Sequence, residues 1–146
     1  MDPSGKPSGC ISALDQKRLV DLIERTFAGG QALDPAARTV LQRLRNSGVI
    51  ARPDLIPPTL VTMNSTIRLN EEASGREWEI TLVYPEDHEP AESCWSVLSP
   101  VGAALFGLSV GDVAEIPDAA DAAGAPARWR IAAIPFQPEA RGFLTM

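Results

Sequence analysis

Apolar positions along this chain change period once, near residue 60. Before that point they recur every three or four residues. Leu19, Leu22, Ile23 and Phe27 fall at i, i+3, i+4 and i+8, with Ile11 and Leu14 leading in. That spacing predicts an amphipathic helix of about four turns. Ser12 stands at the N-cap position and Asp15 follows three residues on, as in a capping box, while Gly29-Gly30 supplies the stop. A second start signal follows at once, with Asp34 as N-cap and Pro35 at the first helical position. Leu33, Ala37, Val40 and Leu44 then recur with 4-3-4 spacing, joined by Leu41, as far as Gly48. Two matched stripes joined by a short loop predict an antiparallel coiled-coil helical hairpin with arms of about 20 Å. Helices that short need another surface to lean on.

ARPDLIPPTL, residues 51–60, contains three prolines and predicts an extended, stiff connector. Beyond it the period is two. Ile67 and Leu69 alternate with Thr66, Arg68 and Asn70, and Trp78, Ile80, Leu82 and Tyr84 with Glu77, Glu79 and Thr81. Residues 94–97 and 113–116 and the alternation of Trp129, Ile131 and Ala133 with Arg128 and Arg130 add three more strands. One buried and one wet face is the pattern of an antiparallel sheet. EEASGR, PEDHEPAE and PDAADAAGAP read as its turns. The only helix signal in this half is Pro100–Phe106, with Ser99 as N-cap and Pro100 at the first helical position. The expected architecture is therefore α+β: a flexible leader at 1–10, a helical hairpin at 11–50, a Pro-rich linker at 51–60 and an antiparallel β-sheet domain with one short helix at 61–146.

Charge changes the picture of what the chain binds. Residues 1–50 carry seven Lys/Arg against five Asp/Glu, and residues 51–146 carry six against fourteen. The acidic part is a poor match for phosphate backbones and a better one for a protein partner with a basic surface. An uncharged run from Ser93 to Gly111 is long enough to raise the question of a membrane span. Its serines, glycines and proline lack the apolar density that insertion needs. Gly102, Gly107 and Gly111 are spaced unlike a phosphate-binding loop, and no lysine follows them. Cys10 and Cys94 form neither a metal pattern nor a disulfide framework; Cys94, beside Trp95, reads as a core residue. No apolar signal segment opens the sequence, so a cytoplasmic protein is expected.

Candidate chemistry is sparse. The lone histidine, His88, lies in a loop expected to be solvated, and nothing nominates a nucleophile. Carboxylates among Glu77, Glu79, Glu86, Asp87, Glu89 and Glu92 would be the set for a metal-dependent hydrolase, but strand-exterior and loop positions suit solvation better. No catalytic residue, metal or cofactor is expected on these grounds. An interaction module that oligomerises through the exposed side of the hairpin is a further alternative.

VTMNSTIRL (61–69), TLVYPED (81–87), SPVGAALFGLSVGD (99–112) and FQPEARG (136–142) together resemble the Rnk family, the regulators of nucleoside diphosphate kinase, which is similar to the bacterial Gre transcript-cleavage elongation factors. The resemblance runs from about Ile11 to Leu144 and is most specific from Val61 on. It implies an FKBP-like C-terminal domain behind a short coiled-coil hairpin, and docking to RNA polymerase at the rim of the secondary channel. The docking residues it implies are Leu98, Ser99, Pro100 and Val101, although Leu98 stands where the cleavage factors often carry an acid. Gre factors present acids at the tip of a long hairpin to the polymerase's catalytic magnesium. Here the tip is GGQALD, with Gln31 and the single acid Asp34, so neither cleavage stimulation nor kinase activity is expected.

Overall fold

The computed structural model describes residues 10–29, 32–50, 52, 55–116 and 127–142. Residues 1–9 of the expected leader, Gln31 at the hairpin tip and the expected turn at 117–126 lie outside them. The described chain runs β1 (Cys10–Ser12), α1 (Ala13–Thr26), α2 (Pro35–Asn46), β2 (Gly48–Ile50), β3 (Thr66–Glu71), β4 (Glu77–Val83), β5 (Cys94–Ser96), α3 (Pro100–Leu105), β6 (Val113–Ile116) and β7 (Ala127–Phe136).

All three helices start where their caps stand. The Ser12 hydroxyl accepts from the Asp15 amide at 3.0 Å, Asp34 Oδ1 from Ala37 at 2.8 Å and Ser99 from Gly102 at 3.2 Å. Each satisfies one of the orphan donors of a first turn. At their C-terminal ends the helices stop just before the expected glycines. α1 closes at Phe27, and α2 closes at Ser47 because Gly48 already belongs to a strand. That strand is unexpected. β2 pairs in parallel with β1, Cys10 opposite Gly48 and Ser12 opposite Ile50, so the chain before α1 and the chain after α2 are tied together.

Five strands form the main sheet in the order β5-β4-β3-β7-β6. The antiparallel expectation holds for β3–β4, β3–β7 and β6–β7 and is corrected at β4–β5, which is parallel with Thr81 opposite Cys94. The physical reason is that Tyr84–Ser93 is no hairpin turn. Two 3-10 turns, Pro85–Asp87 and Pro90–Glu92, carry the chain back before β5 starts, and Ser93 takes a left-handed φ of 60° to enter it. A parallel neighbour requires such a return.

One sheet face buries Ile67, Leu69, Ile80, Leu82 and Ile131; the other carries Arg68, Glu79, Arg128 and Arg130. On that wet face Arg128 and Arg130 both reach Glu72, at 3.0 and 2.7 Å. α3 covers the buried face with Val101, Ala103 and Leu105, followed by Phe106. Leu19 and Ile23 of α1 and Val40 and Leu44 of α2 join the same apolar cluster. The two short helices therefore lean on the sheet rather than standing alone. The proline-rich stretch also packs: Ile56 and Leu60 are buried, and Gln137 Nε2 donates to the Pro57 and Leu60 carbonyls at 2.7 Å each. Prolines lack the N–H for a ladder, so their segment is held through its carbonyls. Cys94, expected in the core, is only half-buried, its thiol directed at the Glu92 carbonyl at 3.6 Å. No helix among the described residues is long and apolar enough to cross a membrane.

Candidate functional site

The turn into α3 is held unusually close to β5. Ser99 Oγ donates to the Ser96 carbonyl while accepting from Gly102, and the Leu98 amide donates to Ser96 Oγ at 3.0 Å. Gly102 explains why the run is rich in small residues. A Cβ there would sit 2.0 Å from the Ser96 carbonyl oxygen and 2.9 Å from the Val97 Cα, so only glycine lets the helix seat on the strand.

This seat decides which of residues 98–101 face outward. Pro100 is exposed and Leu98 half-buried, whereas Ser99 commits its hydroxyl to the cap. Val101 is 7 % exposed and packs in the core, which removes it from the surface expected for docking. The helical periodicity of α3 turns it inward with Leu105.

Leu98 and Pro100 border a cavity of about 530 Å³ between α2, α3 and β6. α2 contributes Pro35, Ala36, Thr39 and Arg43, with the capping residue Asp34 at its rim. Ala103, Ala104 and Leu108 form the opposite wall, and Val113, Ala114 and Glu115 of β6 close the third side. The sequence reading thus names three lining residues, Asp34, Leu98 and Pro100, without bringing them together.

A half-buried cation on α2 and a buried carboxylate on α1 hold the helices in place; Arg43 was not singled out in the sequence, and Asp15 only as a capping residue. Arg43 Nη1 donates to the carbonyls of Ala104, at 3.0 Å, and Phe106. Carbonyls at the end of α3, which lack helical partners, are thereby satisfied. Burial lowers the Arg43 pKa and the nearby Asp112 carboxylate raises it. Its signal was its place beside the apolar stripe, three residues after Val40 and one before Leu44. On the other helix, Asp15 is buried and its Oδ2 accepts from the Met63 amide at 3.1 Å. The expected capping-box acid therefore serves a tertiary contact besides its contact with Ser12. Burial pushes its pKa up from 3.8 to about 6; the Met63 hydrogen bond opposes this, Glu139 adds to it, and Ser12 and Arg18 oppose it. Tyr84 faces the same group, and burial together with Asp15 raises its phenol to about 12.

The alternative carboxylate set is dispersed. Glu77 and Glu79 lie on the wet face, Glu79 pairing with Arg68 at 3.3 Å, and Glu86, Asp87, Glu89 and Glu92 sit exposed around the two 3-10 turns. Among the described residues no three His, Cys, Asp or Glu side chains converge as metal ligands. His88 has a structural task instead: its Nδ1 accepts from the Ser96 amide at 2.8 Å, which makes Nε2 the protonated nitrogen of the neutral ring. Its ring stands 5.7 Å from that of Trp95, edge-on.

With this geometry in place, comparison with known proteins defines the class. Residues 56–134 match the family model of the GreA/GreB transcription elongation factor C-terminal domain. The chain is 32% identical over 139 residues to the regulator of nucleoside diphosphate kinase of Escherichia coli K12, covering 94% of this chain and 96% of that protein. It is 33% identical over 78 residues to the elongation factor GreA of Thermoanaerobacter pseudethanolicus, covering 53% and 49%. A solved GreA/GreB structure from Nitrosomonas europaea superposes with a TM-score of 0.73 at 39% identity, over 90% of this chain and all of that one. The chain belongs to the Rnk family, the regulators of nucleoside diphosphate kinase, within the wider GreA/GreB group.

Proposed function

We propose that this chain is a transcription elongation factor-like regulator that docks on RNA polymerase near the secondary channel. It works without a cofactor or catalysis of its own, in the cytoplasm, and affects nucleoside diphosphate kinase only indirectly. On this reading the α1–α2 pair is the short coiled-coil hairpin of the family, and the main sheet with α3 is its FKBP-like domain. The observation that carries the proposal is the fixed Ser96–Gly102 turn, which presents Leu98 and Pro100 at the surface of a Gre-type domain. Absence of cleavage stimulation follows from reach and charge. At 14 and 12 residues, α1 and α2 are about 20 Å long and lean on the core, and the Asp34 carboxylate is engaged in capping α2.

The test is retention of the purified chain on immobilised core RNA polymerase. Wild type is retained, and Leu98→Lys with Pro100→Ala is retained at least about tenfold less, a loss of about 1.4 kcal/mol, with an unchanged circular dichroism spectrum. No retention of the folded wild type overturns the proposal; equal retention of the double variant moves the contact away from this turn.

A further inference from the structure

β6 is the last strand of its sheet. One side is paired to β7, and among the described residues no strand pairs with the other. The cavity described above meets β6 on this open side. Successive side chains of a strand point to opposite faces, yet three consecutive residues, Val113, Ala114 and Glu115, line the same cavity. A wall built that way is approached along the strand's edge. An open edge presents unpaired backbone N–H and C=O groups, and here they border an apolar hollow of about 530 Å³, within the usual size range of ligand pockets.

We infer that this groove binds an extended peptide segment of a protein partner by strand addition to β6, with a bulky apolar side chain seated against Ala103, Ala104 and Leu108 and Lys or Arg residues flanking it. Backbone pairing supplies affinity in such a mode and the side-chain hollow supplies selectivity. The basic flanks follow from the rim, where Asp34 and Glu115 are exposed; Glu115 lies 4.0 Å from Arg128, a separation that leaves it open to a second cation. Arg43, the cation inside the groove, already donates to two carbonyls. A second copy of this chain is a poorer occupant, because two-fold pairing of β6 strands brings two Glu115 side chains close together, and like charges across strands repel. The acidic rim also disfavours nucleic acid. The inference does not depend on the polymerase reading, since the groove selects a backbone conformation and a side-chain pattern rather than one protein.

The probe is the capped heptapeptide Lys-Val-Thr-Phe-Thr-Val-Lys, titrated into the ¹⁵N-labelled full chain. Amide shifts are expected at Val113, Ala114 and Glu115 and around Ala104 and Leu108. Replacing both lysines of the probe by glutamate is expected to weaken binding by about tenfold or more, and Glu115→Lys is expected to reverse that preference. Of two probes N-methylated along opposite backbone edges, one keeps its affinity and the other loses it, because strand addition uses a single edge. Absence of shifts at β6, equal binding by both N-methylated probes, or indifference to the charge exchange overturns the inference.

Discussion

The helical layer meets the rest of the protein along two seams that solve one problem with opposite charges. On the α2 side a cation, Arg43, is drawn in to satisfy carbonyl oxygens at the end of α3. On the α1 side an anion, Asp15, is drawn in to satisfy the Met63 amide. Both replace hydration with backbone hydrogen bonds, and both are disfavoured by burial. They differ in whether the charge can be removed. Arginine stays protonated at any working pH, whereas a carboxyl titrating near 6 discharges in mild acid. The α2 seam should therefore be indifferent to pH and the α1 seam should strengthen as pH falls.

The comparison is broken most severely at Gly102. Both carbonyls held by Arg43 sit on α3 or just after it, and α3 lies so close to β5 that a Cβ on Gly102 would meet the Ser96 carbonyl. Gly102→Ala drives a methyl group into the backbone of Ser96 and Val97, so that helix or strand must shift. Overpacking of this kind costs about 1–3 kcal/mol when side chains can adjust, and more when backbone must move. A loss of about 4 kcal/mol is expected in urea unfolding, and a loss under about 1 kcal/mol would mean that the seat is soft.

The titration of Asp15 comes next. Its folded pKa of about 6 lies above the unfolded 3.8, so the folded state holds this proton more tightly. The contribution to stability is full below pH 3.8, falls as pH rises through 6 and is absent above it. Across that window the change is about 3 kcal/mol. Other carboxylates act oppositely; Arg76 and Ser74 hold Glu71 low, so its contribution is lost as pH falls. The clean quantity is therefore the difference between wild type and Asp15→Asn, which keeps an acceptor for Met63 and cannot ionise. That difference should favour the variant above pH 6 and shrink towards pH 4, by urea unfolding across the range. A pH-independent difference would place Asp15 in contact with water.

These seams also mark where the sequence stops being legible. The caps at Ser12, Asp34 and Ser99 were readable because a short polar side chain before an apolar stripe has one common use. Strand periodicity placed β3, β4, β6 and β7. The second contact of Asp15 was not legible, because an acid three residues after a cap looks the same whether or not it also reaches a residue 48 positions on. β1 and β2 are three residues each, too short to show a period, and the parallel β4–β5 pair depends on a return path that composition does not encode. Burial of Val101 beside exposed Pro100 is set by how closely Gly102 seats the helix, a distance rather than a pattern.

Arg43→Met sharpens the contrast from the other side. Methionine retains most of the aliphatic packing near Gly107, where an added Cβ would lie 3.8 Å from the Arg43 Cδ. It withdraws the donor from two carbonyls, and hydrogen bonds from charged groups are worth about 1.5–3 kcal/mol. Part of the arginine is exposed, so solvent recovers some of the loss, and about 2 kcal/mol is expected with no dependence on pH between 4 and 7. A pH-dependent loss would show that the two seams are coupled rather than separate.

The smallest effect should come from an arginine that differs from Arg43 only in its surroundings. Arg68 on the wet face of the sheet reaches Glu79 at 3.3 Å, with both side chains about half exposed (49% and 52%). Water solvates each partner whether or not they meet, and salt screens what remains. Glu79→Gln should therefore change stability by about 0.5 kcal/mol or less in low salt, and by less still at high ionic strength. Urea unfolding of the wild type and the variant at two salt concentrations measures both quantities. A salt-resistant loss as large as that of Arg43→Met would mean that pairing, and not burial against unsatisfied backbone, is what makes an arginine count in this fold.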